Sequence, residues 1–102
     1  MTSLEAKTSA FPGLAKKLSR LIQFATVSSY TVTDEVEEGF SGLIDELPLL
    51  FPKLHRALKL EKPSDRALLY TWKGSDPSLA PAILCAHFDV VPEGNSQDWE
   101  QG

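Results

Sequence analysis

The sequence has little cysteine, no excess of basic residues and no long hydrophobic run. Its single cysteine, Cys85, excludes an internal disulfide and a zinc site built from several thiolates. Because 10 Lys and Arg residues stand against 14 Asp and Glu residues, for a formal net charge of -4, we expect no nucleic-acid partner. No stretch approaches the ~20 apolar residues that cross a bilayer. We therefore also expect no membrane partner.

The composition is that of an ordinary globular domain. The 102 residues are 42% hydrophobic and 24% charged, which suits at most one small domain. Residues 1–10 are small and polar, so we predict a disordered N-terminus there. Since these residues contain no apolar run typical of a signal peptide, we predict a cytoplasmic chain.

Two helical segments are predicted in the first half of the chain. Apolar residues at helical spacing predict a first helix from Leu14 to about Ala25, where a polar, β-branched run follows. Asp34 followed by Glu37 resembles a capping box and predicts the start of a second helix. We interpret the acidic residues there as a solvated helix start rather than a cation site (Asp34, Glu35, Glu37, Glu38).

Prolines interrupt the second helix. Its apolar residues are spaced by three and four, like the seam of a coiled coil. Pro48 and Pro52 each remove a backbone donor, so we predict a kink or break near Leu47 and a shorter helical piece after Pro52. The same prolines weigh against a helical oligomer held together by this seam.

Two strands are predicted in the second half. Residues 67–72 are rich in strand formers, and residues 82–86 form a nearly continuous apolar run, which is typical of a strand buried on both faces. The turn-rich residues 74–78 separate them. The predicted order is therefore helix, helix, strand, strand, an α+β arrangement when the chain is taken in isolation.

One segment carries side chains suited to chemistry. Strand side chains alternate, so Cys85, His87 and Asp89 should point to one side, near the strand end that Pro92 imposes. An imidazole there could bind zinc, while a carboxylate two residues further on accepts its other ring N–H. On spacing alone, a structural histidine is the favoured alternative, because His-x-Asp is frequent by chance.

Three residues receive structural interpretations, and a fourth stays open. Cys85 lies among apolar neighbours and is interpreted as a small buried hydrophobe. His55 lies between basic residues on a helical stretch and is predicted at the surface. Trp72 is interpreted as core or sheet packing, whereas Trp99, in a polar loop, keeps both a structural and a ligand-stacking interpretation open.

Four ordered blocks resemble the start of the zinc-dependent aminoacylase and carboxypeptidase S family, in particular its large carboxypeptidases and N-acyl-amino-acid hydrolases. The blocks are FPKLH at residues 51–55, LLYTWKGSDPSL at 68–79, AHFDVVP at 86–92 and DW at 98–99. The resemblance implies an α/β fold with a mixed sheet. Residues 11–102 would supply the N-terminal helices and first β-hairpin of that catalytic domain, which would be incomplete.

The resemblance also implies site residues. His87 matches the family's first zinc ligand, and Asp89 matches the catalytic-site aspartate that orients and polarises that ligand. In the family, two zinc ions activate a water, and a glutamate acts as general base to hydrolyse an amide next to a free carboxylate. We expect the bridging aspartate, the general base and the other ligands beyond Gly102.

The main functional hypothesis is therefore a fragment of a zinc metallohydrolase, a carboxypeptidase or an N-acyl-amino-acid hydrolase, that is inactive as this 102-residue chain. Its substrate would be a peptide or an N-acyl amino acid, and a second domain absent from these residues would form a homodimer. The alternative is a non-enzymatic α+β binding module, or a degenerate relative, that associates through a strand edge.

Overall fold

The computed structural model describes residues 11–31 and 35–100. In that part of the chain, three helices precede a two-stranded antiparallel sheet and a short 3-10 helix. They are α1 (Leu14–Leu21), α2 (Glu37–Leu50), α3 (Pro52–Ala57), β1 (Lys59–Ser64), β2 (Ala67–Thr71) and the 3-10 helix (Ser96–Asp98). This confirms the predicted fold class. The predicted disordered tail, residues 1–10, lies outside the described residues.

Helix α1 is shorter than predicted. It ends at Leu21 rather than near Ala25, because the chain tightens into turns in which Gln23 and Phe24 donate to the carbonyls three residues back. These turns direct the chain into the extended residues 26–28. No helix in the described residues is long and apolar enough to cross a membrane.

The second helical segment is broken as predicted, but a few residues later. Pro48 lies inside α2, whereas the break falls at Phe51, which has φ -127° and ψ 62°. Pro52 disfavours the helical conformation of the residue before it and then occupies the first position of α3. Helix α2 begins at Glu37 with Val36 as its N-cap. Asp34, the predicted cap, lies outside the described residues.

The core lies on one face of α2. Its buried apolar residues are Phe40, Leu43 and Ile44. Gly39 on this helix faces the backbone at Ala25 so closely that an added Cβ would lie 2.0 Å from the Ala25 oxygen. Glycine therefore permits α2 to approach residues 25–28, the segment that pairs with the candidate site.

A hairpin is present. Its second strand, β2, confirms the strand predicted at residues 67–72, whereas its first strand, β1, was not predicted. β1 pairs with β2 in antiparallel register, with Leu60 opposite Tyr70. β1 escaped prediction because its lysines, glutamate and Pro63 are weak strand formers. The predicted second strand, residues 82–86, lies in no strand of the described chain. Strand structure needs a hydrogen-bonding neighbour, and no described segment supplies one there.

Two predictions of burial are wrong, because no described segment covers the residues concerned. Cys85 is exposed rather than a buried hydrophobe. Trp72 lies just beyond β2 and is also exposed rather than packed in the core. Leu84, beside Cys85, is 99% exposed. Apolar character alone does not bury residues 82–86 when the described chain offers no surface for them.

Candidate functional site

A short parallel pairing brings together two distant segments at the candidate site. Val27 and Val90 form a parallel bridge, in which the Ser28 amide donates to the Val90 carbonyl at 3.0 Å and the Val90 amide donates to the Thr26 carbonyl at 2.9 Å. The Thr26 hydroxyl donates to the Phe88 carbonyl at 2.6 Å. That carbonyl would accept from the Thr26 amide in the next rung of a parallel ladder. A side chain thus extends the pairing.

The pairing holds His87 and Asp89 beside Ser28. The distance from His87 Nδ1 to Asp89 Oδ1 is 2.9 Å, and Nδ1 is 3.0 Å from the Asp89 carbonyl oxygen. Both partners are acceptors, so Nδ1 carries the proton. The second carboxylate oxygen, Oδ2, accepts from the Ser28 hydroxyl at 2.6 Å.

The electrostatics of this group favour an ionised Asp89. The Ser28 hydroxyl, and then the His87 ring, hold the pKa of the Asp89 carboxyl below its ordinary value. An ionised carboxylate accepts through both oxygens, which agrees with the two hydrogen bonds it receives. The His87 side chain is 85% exposed, and its Nε2 has no hydrogen-bond partner within residues 11–31 and 35–100.

The arrangement suits one ligand position of a metal site. A metal-binding imidazole donates its other ring N–H to a carboxylate, and here Nδ1 donates to Asp89 while Nε2 has no hydrogen-bond partner among the described residues. Within the described ranges, no three His, Cys, Asp or Glu residues gather as a metal-binding group. Within those ranges, the donor set could therefore supply a single ligand of such a site. Of the three residues predicted on one side, His87 and Asp89 are joined by a hydrogen bond, and all three line one cleft.

A cleft of about 650 Å³ separates β2 from the segment that carries His87. Its lining is mostly apolar and includes Phe40 of the core, Leu68 and Tyr70 of β2, and Ile83. His87 and Asp89 also line it. The candidate ligand thus borders an apolar space that no described residue fills.

An ion-pair cluster lies beside the site and was not predicted. Arg66, in the hairpin turn, contacts the Glu35 carboxylate and donates to Glu37 Oε2 at 2.5 Å. Its Cζ also lies 3.8 Å from the centroid of the Phe40 ring. Glu35 in turn accepts from the Ser29 amide at 2.7 Å. No sequence signal links these residues, because they are separated by turns and helices whose packing brings them together.

The cluster changes the interpretation of the acidic run. The Glu35 side chain is only 5% exposed, so it is not a solvated helix start as predicted. The Ser29 amide, and then Arg66, lower the pKa of the Glu35 carboxyl. The hydrogen bonds that Arg66 donates to Glu37 and then to Glu35 raise the pKa of Arg66. Glu37 and Glu38 do occupy the first turn of α2, where they complement the helix dipole.

His55 is half-buried, so its predicted surface position is wrong. Its Nδ1 lies 2.7 Å from the Phe51 carbonyl oxygen, and its Nε2 lies 2.8 Å from the Tyr70 hydroxyl. Burial raises the pKa of Tyr70, so the hydroxyl keeps its proton and donates to Nε2. The pair joins α3 to β2. His55 is therefore a structural residue of the contact between these two elements.

Trp99 has a structural contact. Its indole Nε1 donates to the Glu93 carbonyl at 3.1 Å and closes the loop before the 3-10 helix. The side chain still exposes more than half of its surface.

Comparison with known proteins identifies relatives of the chain. The chain matches no protein-family model and no solved structure. It is 41% identical over 85 residues to carboxypeptidase S of Saccharomyces cerevisiae, which covers 78% of the chain. It is 40% identical over 81 residues to a probable carboxypeptidase S-like protein of Dictyostelium discoideum, again over 78% of the chain. Over 32 residues, 31% of the chain, it is 59% identical to an N-fatty-acyl-amino acid synthase/hydrolase of Homo sapiens.

The names of these proteins show that the chain is a relative of peptidases and amidohydrolases. More particularly, its homologues over about four-fifths of its length are carboxypeptidase S-like proteins, which confirms the resemblance found in the sequence. The chain spans only 15% and 16% of the length of the two carboxypeptidase relatives described above. That share is what a piece of a larger peptidase would give.

Proposed function

We propose that this chain supplies part of the active site of a zinc-dependent hydrolase that cleaves an amide bond next to a free carboxylate. One observation carries the proposal. His87 donates from Nδ1 to Asp89 at 2.9 Å in a side chain that is 85% exposed, so Nε2 is left as the nitrogen that would bind a metal ion. His87 is the proposed zinc ligand, and Asp89 is the residue that orients it.

The substrate class follows from the names of the relatives. A carboxypeptidase acts at the C-terminal end of a peptide, and another relative is named for N-fatty-acyl-amino acids. Both kinds of molecule place an amide bond next to a free carboxylate. We therefore propose a peptide or an N-acyl amino acid as the substrate of the whole protein.

The residues of this chain would perform a limited part of the chemistry. When bound, zinc would lower the pKa of a water molecule and polarise the amide carbonyl. Asp89 keeps the proton on His87 Nδ1, and the paired residues 26–28 and 88–90 hold both side chains in place. Catalytic zinc sites use about three protein ligands. Because the described residues supply one, we propose that the 102-residue chain alone is inactive.

The experiment replaces the proposed ligand in the protein that carries this chain. His87→Ala should remove bound zinc and abolish hydrolysis of dipeptides or N-acyl amino acids, because a ligand and its oriented nitrogen are lost. Metal content by mass spectrometry and hydrolysis by product analysis are the two measurements.

The matched control is His55→Gln, which removes the other histidine of the sequence and preserves a hydrogen-bonding side chain between α3 and β2. It should leave the zinc content unchanged. Full zinc content and full hydrolysis in His87→Ala would contradict the assignment of His87.

A further inference from the structure

We infer that Ser28 is a positioning residue for the pair formed by His87 and Asp89, an inference that rests on the proposed function. The Ser28 hydroxyl holds the Asp89 carboxylate in the orientation that keeps the proton on His87 Nδ1. The lone pair of Nε2 is then the one available to a metal ion.

The directions of the hydrogen bonds carry the inference. An ionised carboxylate accepts and does not donate, so the Ser28 hydroxyl must give its one proton to Oδ2 at 2.6 Å. The other oxygen, Oδ1, faces His87 Nδ1 at 2.9 Å. The two carboxylate oxygens thus have different partners, and rotation of the Asp89 side chain would break both bonds.

Ser28 is itself fixed to the segment that it positions. Its amide donates to the carbonyl of Val90, the residue that follows Asp89, and the Val90 amide donates to Thr26. The hydroxyl therefore reaches Asp89 from a backbone held at constant register. This explains how two side chains 61 residues apart in sequence meet at hydrogen-bonding distance.

The adjacent serine makes different contacts. Ser29 is exposed, and its hydroxyl oxygen accepts from the Thr31 amide at 3.3 Å. Its own amide donates to Glu35. Because the Ser29 side chain makes no hydrogen bond to Asp89, the chain offers a matched control one residue away from the proposed positioning residue.

The expected effect of losing the hydroxyl is partial. Without Ser28 to hold Oδ2, the carboxylate can turn away from His87. The Asp89 carbonyl oxygen, 3.0 Å from Nδ1, would still accept a hydrogen bond. A neutral carbonyl is a weaker acceptor than a carboxylate, so the preference for the proton on Nδ1 should decrease rather than vanish.

The experiment measures the proton position directly in the protein that carries this chain. The ¹⁵N chemical shifts of the His87 ring, recorded without metal, should show Nδ1 protonated in the parent and an increased Nε2–H population in Ser28→Ala. Zinc affinity, measured by competition with a chromophoric chelator, should fall about tenfold in the same variant. Ser29→Ala should change neither quantity, and Ser28→Thr, which retains a hydroxyl, should preserve both.

Two results would overturn the inference. They are a His87 ring protonated on Nε2 in the parent, and a Ser28→Ala protein whose ring shifts and zinc affinity equal those of the parent. If Ser28→Ala does not fold, the ring shifts of His87 are compared in the parent and in Ser28→Thr. A proton on Nδ1 in both proteins supports the inference, and a proton on Nε2 in either protein contradicts it.

The test of Ser28 and the test of His87 as a zinc ligand can fail independently of each other. If His87→Ala retains zinc, the metal assignment fails, whereas the proton position in the metal-free protein still reports on Ser28. If His87→Ala loses zinc and Ser28→Ala leaves the ring unchanged, the metal assignment holds and the inference about Ser28 fails alone.

Discussion

Residues 82–86 and 88–90 follow one another in the same stretch of chain, yet their surroundings differ completely. The first group is the more apolar and is exposed, with Leu84 at 99%. The second group is held by the Val27–Val90 bridge and by the Thr26 hydroxyl. Backbone partners, rather than apolar character, decide which part of this stretch is anchored in the described chain.

The difference has a physical cause in helix α2. Its buried face packs against residues 25–28 through the close contact of Gly39 with Ala25. Those residues then offer hydrogen-bonding groups to residues 88–90 on the other side. Residues 82–86 have no such neighbour in the described chain. The candidate site is thus anchored through the first half of the sequence, which supplies its partners.

The largest expected effect follows from breaking the contact of α2 with residue 25. Gly39→Ala places a Cβ 2.0 Å from a backbone oxygen that cannot rotate away, so α2 must shift from residues 25–28. We expect a loss of about 3 kcal/mol in the stability of the bridge. Hydrogen exchange of the Val90 and Ser28 amides measures it. Gly74→Ala, where an added Cβ meets nothing within 4 Å, is the control and should preserve protection of both amides.

A smaller effect is expected from the hydroxyl that extends the bridge. Thr26 is 3% exposed, and Thr26→Val keeps its shape while leaving the Phe88 carbonyl without that donor. We expect the bridge to lose about 1–2 kcal/mol, measured by exchange of the Val90 amide. Thr71→Val, at the exposed end of β2, should leave that exchange rate unchanged. Equal rates in Thr26→Val and the parent would show that the hydroxyl contributes nothing.

The smallest effect is expected from a substitution in the exposed residues 82–86. Leu84→Ser changes a side chain without packing neighbours, so the stability of residues 1–102 alone should change by less than about 0.5 kcal/mol. Urea denaturation of that chain measures it. In a longer protein that covers residues 82–86, the same substitution should cost about 2 kcal/mol or more. A large loss in the chain alone would show that Leu84 is buried there after all.

Periodic patterns allowed much of the helical structure to be predicted. The spacing of apolar residues predicted α1 and α2, and Pro52 predicted the break before α3. Of the two predicted strands, the one at residues 67–72 is confirmed as β2, and the one at residues 82–86 is not. β1 lies in a polar segment that pattern does not distinguish from a loop, and residues 82–86 have strand composition without a strand partner. Strand formation depends on a neighbour that local sequence does not reveal.

The candidate site was predictable only in part. His87 and Asp89 are two residues apart, so their hydrogen bond follows from local geometry once the resemblance draws attention to them. Ser28 and the cluster of Arg66, Glu35 and Glu37 could not be found in this way, because their contacts cross long distances in sequence. The roles of His87 and Asp89 in zinc binding, the substrate, the homodimer and the cytoplasmic location stay predictions.

Local sequence was enough to predict the helices, their proline break, the proximity of His87 to Asp89 and the kinship with carboxypeptidase S-like proteins, because each depends on residues close together or on ordered motifs. The contact of Ser28 with Asp89 and the bond from Thr26 that extends the bridge became visible in the folded chain alone. Tertiary packing also half-buries His55 against Tyr70 and leaves Leu84 exposed. Those outcomes depend on which distant surfaces meet, and contact between distant surfaces is set by packing rather than by local pattern.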